Sequence, residues 1–74
     1  MFFQHKSNGN VKEAEYYYKK SISLNNKIPE PHTNLGSLYN SQNKFKEAIS
    51  CYNKAILINP KFAYAHNNLG NVYV

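Results

Sequence analysis

The chain has 74 residues and a formal charge of +5, with nine lysines, four glutamates, and neither arginine nor aspartate. A domain of this size buries only about 60% of the surface its unfolded chain exposes, and a single cysteine excludes an internal disulfide or a cysteine-built metal cluster. The charge permits weak attraction to acidic partners, but lysine lacks the bidentate fork that arginine offers phosphate.

Nothing in MFFQHK resembles a signal peptide, and no apolar run approaches a membrane span. An intracellular place, cytoplasmic or nuclear, is therefore expected.

Residues 1–8 read as the end of a helix, and Gly9-Asn10 as a turn, because glycine accepts positive φ without steric cost. From Val11 the apolar residues follow helical spacing: Val11, Ala14, Tyr18, Ser21 and Ile22 form one stripe, interrupted by Glu15. Tyr16 and Tyr17 fall off that stripe and are expected to cover neighbouring surface or stay partly exposed. Asn25-Asn26-Lys27 closes the helix, since asparagine tolerates the left-handed conformation common at helix ends.

Pro29 and Pro31 bracket the next start, where a missing N–H costs nothing and Glu30 complements the helix dipole. A helix from Pro31 to about Ser41 gathers His32, Leu35, Gly36 and Tyr39 on one side. Glu30, Thr33, Asn34, Ser37 and Ser41 gather on the other. The break at Ser41-Gln42-Asn43 has no glycine, but asparagine is the next-best residue for positive φ. The alternative, a continuous helix through this point, would open the chain for exchange between protomers.

Phe45, Ala48, Ile49, Tyr52, Ala55 and Ile56 make a cleaner stripe than the first, ended by Asn59-Pro60, because the residue before proline is pushed out of helical conformation. A last helix from about Ala63 to Val74 leaves Leu69, Val72 and Tyr73 seeking cover.

These segments repeat. HTNLGSLY (His32–Tyr39) returns as HNNLGNVY (His66–Tyr73), and VKEAEYYYKKSISLN (Val11–Asn25) precedes FKEAISCYNKAILIN (Phe45–Asn59). Both pairs share one offset, the step that carries Leu35 onto Leu69 and Val11 onto Phe45. A fixed period of this size marks a repeat architecture, and little more than two units fit here, fewer than the roughly three such proteins usually need. Either the chain is a piece of a longer array or it completes its core by self-association. Met1 occupies the place of Leu35 and Leu69, and Phe2 the place of Gly36, a poor match where a neighbouring helix must come close.

Leu35, Gly36 and Tyr39, followed by Ala48, Tyr52, Ala55 and Pro60, with Leu69, Gly70 and Tyr73 repeating the opening, resemble the tetratricopeptide repeat. The resemblance implies an all-α fold of antiparallel helix–turn–helix repeats in a right-handed superhelix. It divides the chain into a partial first repeat (1–28), a complete one (29–62) and the first helix of a third (63–74). Gly36 and Ala48 are then small where paired helices approach, so that a bulky residue at Ala48 would cost about 1–3 kcal/mol, while Tyr52 and Ala55 face the following repeat. His32 and His66 replace a large aromatic of the family pattern, Ser21 its alanine and Asn26 its proline.

Catalysis finds little support. Glu13 and Glu47 hold equivalent helix positions and read as solvated residues rather than a converging acid–base pair, and nothing orients a histidine toward Cys51. His32 and His66, a repeat apart, are too few ligands for zinc and read as packing aromatics with a polar edge. No cofactor is expected.

Binding is better supported. The resemblance implies that first helices line a concave surface, where Asn34 and Asn68 hold the same position and Ser37 and Asn71 lie one turn further along; Tyr64 and Asn67 complete the expected peptide-contacting set. Asparagine offers both donor and acceptor, so such a ladder can hydrogen-bond an extended peptide's main chain. It is similar to the superhelical repeats of protein O-GlcNAc transferases, as is the string FAYAHNNLG (Phe62–Gly70), although asparagine is abundant here, with twelve in the chain. The carboxylate clamp of chaperone-tail-binding repeats is matched only by Asn34: Phe3, Tyr64 and Asn68 replace its other polar residues.

A non-catalytic scaffold that binds an extended peptide or a partner helix is therefore expected. The alternatives are a basic helical-repeat RNA-binding module, favoured by lysine with tyrosine but opposed by lysines that recur outside the groove, and a self-associating fragment of a larger repeat protein such as a glycosyltransferase. No membrane partner is expected.

Overall fold

The computed structural model describes the backbone of residues 3–73 and the side chains of residues 10–73. The expected places of Met1 and Phe2, and of Val74 in the last helix, lie outside the described residues. Four helices follow one another: α1 (Phe3–Leu24), α2 (Pro29–Ser41), α3 (Phe45–Ile58) and α4 (Ala63–Tyr73), with no strand among the described residues. Their short connections fold neighbours back on each other. α2 lies at the centre, packed against α1, α3 and α4, while α3 also packs against α4. The body measures 40 × 32 × 17 Å, and its short dimension leaves room for two layers of helices at the usual spacing of about 8–10 Å.

The core is correspondingly small. Leu35 of α2, Ala48, Cys51, Tyr52 and Ala55 of α3 and Ala65 of α4 are buried, together with His32 and Thr33. Of the expected α3 stripe, Ala48, Tyr52 and Ala55 are buried, Ile49 and Ile56 are half-buried and Phe45 at its start is exposed, while Cys51, not expected on the stripe, is buried beside it. No described side chain of α1 is fully buried, and Ser21, expected on the inner stripe, faces solvent. Thr33 also departs from expectation. Expected on the polar side of α2, it is fully buried, because α2 has helices on more than one flank, and its hydroxyl donates to the Pro29 carbonyl at 3.1 Å.

The connection after α2 closes as its asparagine implies. Asn43 has φ 62°, the Asn43 N–H donates to the Asn40 carbonyl at 3.0 Å, and the Lys44 N–H donates to the Tyr39 carbonyl at 2.8 Å. That pair of bonds, with a left-handed residue between them, is the Schellman arrangement.

The turn expected at Gly9-Asn10 does not form: α1 runs through both residues as one helix of 22 residues. Register supplies a reason. In the second copy the Tyr52 ring lies over Gly36, where a Cβ would come within 2.7 Å of the ring. The equivalent pair in the sequence one repeat earlier is Tyr18 with a phenylalanine in place of the glycine, so the pattern that permits the close contact in the second copy is not repeated in the first. Glycine permits a turn without requiring one, and inside a helix it costs only about 1 kcal/mol relative to alanine.

The other loops are built alike, though not as expected. α1 ends at Leu24, but Asn43 is the one non-glycine residue with positive φ among those described, so Asn25 and Asn26 do not close it through a left-handed conformation. Instead the Asn25 Oδ1 accepts the Lys27 N–H at 3.0 Å, and at the equivalent place one repeat later the Asn59 Oδ1 accepts the Lys61 N–H at 3.1 Å. These are side-chain turns of the kind asparagine forms with the backbone two residues on. α2 begins at Pro29, two residues before the expected start, after Ile28 in the extended conformation that a following proline imposes.

Candidate functional site

The face of α2 opposite Leu35 forms a shallow depression of about 290 Å3. Asn34, Ser37, Leu38 and Ser41 supply one wall, joined by Tyr18 of α1 and Tyr64 of α4. None of these side chains carries a charge, although the chain holds thirteen charged residues.

Ser37 sits at the centre of its hydrogen bonding. Its Oγ accepts the Tyr52 hydroxyl at 3.2 Å and the Asn68 Nδ2 at 3.4 Å. With both contacts spent on its oxygen, the Ser37 proton is left to donate outward. Tyr52 is held from behind by Gly36 and is almost wholly buried, which pushes its phenol up from the ordinary value and keeps it a donor. The bond from Asn68 orients that amide so that its Oδ1 remains available as an acceptor.

Asn34 and Asn68 share a sequence position but not a role. Asn34 lines the depression without a side-chain partner among the described residues, whereas Asn68 is tied to Ser37. The residue one repeat before Ser37 is Phe3, which has no hydroxyl to receive an equivalent bond. Asn67 and Asn71 are exposed on α4, and nothing brings them to the depression. Tyr64 does reach it, its ring edge-on to Phe62 at 6.0 Å between centroids. Leu38 and Ser41 could have been found from spacing, being four residues after Asn34 and Ser37. Tyr18 comes from another helix, so only the tertiary structure supplies it.

His32 and His66 are loop ties. His32 Nε2 donates to the Asn26 carbonyl at 3.4 Å, and His66 Nε2 donates to the Pro60 carbonyl at 2.6 Å. Both ties span six residues, and they hold equivalent places in successive repeats. A carbonyl only accepts, so each ring carries its proton on Nε2. The tie uses the main chain, which explains why Asn26 can replace a proline without changing the loop. Among the described residues no group of three or more histidine, cysteine or acidic side chains could hold a metal ion.

Glu15, which breaks the α1 stripe, has its own partners. Its Oε2 accepts the Tyr39 hydroxyl at 3.2 Å and pairs with Lys19 Nζ at 2.9 Å. The hydrogen bond and charge of Lys19 hold the carboxyl below its ordinary range, while burial raises the Tyr39 phenol. Cys51 is buried, its thiol pushed up by that burial, the environment of an inert cysteine rather than a nucleophile.

The remaining signature residues divide by place. Gly70 lies open with no described side chain or backbone within 4 Å of a would-be Cβ, and Tyr73 is 70% exposed. Leu69 is half-buried and Pro60 is exposed. Among the described residues no helix is long and apolar enough to cross a membrane.

Residues 36–74 match the family described as TPR repeat, and residues 5–28 match the one described as Tetratricopeptide repeat. Both matches are to the repeat itself and express no preference among the proteins that contain it. No curated protein matches the chain.

Proposed function

The chain belongs to the tetratricopeptide repeat family, whose repeats generally mediate protein–protein interaction as non-catalytic scaffolds, and on that premise we propose that it binds an extended peptide segment of a partner protein along the α2 face. The observation that carries this reading is the uncharged depression in which Ser37, fixed by Tyr52 and Asn68, stands beside an Asn34 that has no side-chain partner among the described residues. An extended main chain needs alternating donors and acceptors. Here Ser37 and Asn34 offer donors, while Asn34 and Asn68 offer acceptors. Asn71 and Asn67 would extend the contact along α4, and residues 29–62 act as the complete structural unit. Kinship with O-GlcNAc transferase arrays is supported by FAYAHNNLG and the Asn34/Asn68 pair alone.

A second reading is RNA binding. It draws on Tyr16 and Tyr17, both more than half exposed and edge-on at 5.2 Å, with Lys20 Nζ 5.8 Å from the Tyr16 ring centre. Bases stack on such rings, but the cluster lies outside the depression. A third is self-association through the open α4 face of Gly70 and Tyr73.

The test is affinity capture from a matched cell extract, with the captured partner mapped to a peptide. The double variant Asn34→Ala/Asn68→Ala loses that partner on this reading, and survival of the same partners in the double variant refutes it. Salt-steep binding to RNA homopolymers, abolished by Lys46→Ala/Lys54→Ala, would favour the second reading, and concentration-dependent sedimentation the third.

A further inference from the structure

A second recess lies between the ends of α1 and α3, sharing no lining residue with the depression on α2. It is a cleft of about 360 Å3 lined by Ile22 and Asn26, by His32 at its floor, and by Lys54, Leu57 and Ile58. That is near the lower end of the roughly 300–1,000 Å3 range of binding pockets, room for an inserted side chain or two. Its floor is already satisfied, because the His32 Nε2 is spent on the Asn26 carbonyl. Its walls are mostly aliphatic, and Leu57 at the rim is 83% exposed, the most exposed large apolar residue among those described. Lys54 is the one charged lining residue, no glutamate lines the cleft, and the one ion pair among the described residues is Glu15 with Lys19. Lys20, Lys27 and Lys61 lie within three residues of Ile22, Asn26 and Ile58, against one glutamate, Glu30, two residues from His32.

The geometry points to a second docking site on this face, for a partner peptide that inserts a leucine- or phenylalanine-sized side chain between Ile22, Leu57 and Ile58 and flanks it with carboxylates facing Lys54. The apolar insertion supplies the affinity, and the lysines select the flanks and speed encounter. A basic or neutral flank leaves Lys54 unanswered. This site is independent of the peptide reading for the α2 face.

Two short labelled peptides test it on the whole chain, each with a pair of leucines, flanked by glutamates in one and by lysines in the other. At low salt the glutamate-flanked peptide binds at least about tenfold tighter, and Lys54→Glu or Leu57→Ser weakens it by about tenfold each. Asn34→Ala leaves it unchanged. Both cleft positions are exposed, so the variants keep their fold, which far-ultraviolet circular dichroism checks. Equal binding of the two peptides, unchanged binding in folded Lys54→Glu, or loss of binding in Asn34→Ala would each overturn the proposal, the last by moving the peptide to the α2 face.

Discussion

Tyr52 lays its ring so close to Gly36 that a Cβ on the glycine would sit 2.7 Å from Cε1 and 2.9 Å from Cδ1. The same tyrosine donates its hydroxyl to Ser37 at 3.2 Å. One contact therefore couples the packing of α2 on α3 to the geometry of the candidate binding face.

Gly36→Ala should destabilise the chain by about 1–3 kcal/mol through overpacking, a fall of at least about 4–8 °C in melting temperature for a domain of this size. Gly70→Ala is the control. Its Cβ meets nothing within 4 Å, so the alanine gains helix propensity of up to about 1 kcal/mol. Thermal melts that move both variants the same way would contradict the assignment.

Asn43 carries the left-handed turn between α2 and α3 at φ 62°. Asn43→Ala should lose about 1 kcal/mol, since a Cβ without a compensating polar side chain is disfavoured there. Asn43→Gly should hold or raise stability. Urea titration of the two variants checks the order, and an alanine variant as stable as wild type would mean that the turn relaxes elsewhere.

The paired histidine ties differ in burial. His32→Phe keeps the buried ring but removes the bond to the Asn26 carbonyl, and should cost about 0.5–1.5 kcal/mol. His66→Phe should cost less, because His66 is exposed and water can take up the freed Pro60 carbonyl. Chemical denaturation of the two single variants measures the difference.

The Glu15 cluster makes stability depend on pH at both ends. The Glu15 carboxyl is lowered from its ordinary 4.5, so its contribution is present above that value and is lost as pH falls through the lower folded value. Lys19, Tyr39 and Tyr52 are all raised in the folded chain. Their contributions are present below their ordinary values of 10.5 and 10.0 and are lost as pH rises through the folded ones. Glu15→Gln should flatten the acid limb of a stability profile. An unchanged acid limb would show that the pair is too solvated to matter.

Much of the fold was legible because its signals are local. A proline forces the residue before it out of helix, as at Ile28 and Asn59, and an asparagine without glycine nearby can take positive φ, as Asn43 does. The α3 stripe needed only helical period. Of the residues that line the α2 depression, Asn34 and Ser37 were singled out from repetition alone. Tyr18 was not, and Asn67 and Asn71 were expected from position in the repeat but stay outside the depression.

The sequence by itself determined the repeat period that carries His32 onto His66, the family, the helical segments after Pro29 and the residues small enough for close approach. Those follow from periodicity and backbone chemistry, which act over a few residues. Only the tertiary structure decided whether a permitted turn is used. Gly9 could bend and does not, because bending yields stability only when the two helices can pack, and that depends on a partner residue on the other helix. The same holds for Thr33, drawn into the core by neighbours on more than one side of α2, and for Ser37, which becomes the hydrogen-bonding centre of the α2 depression through Tyr52 and Asn68 from two other helices.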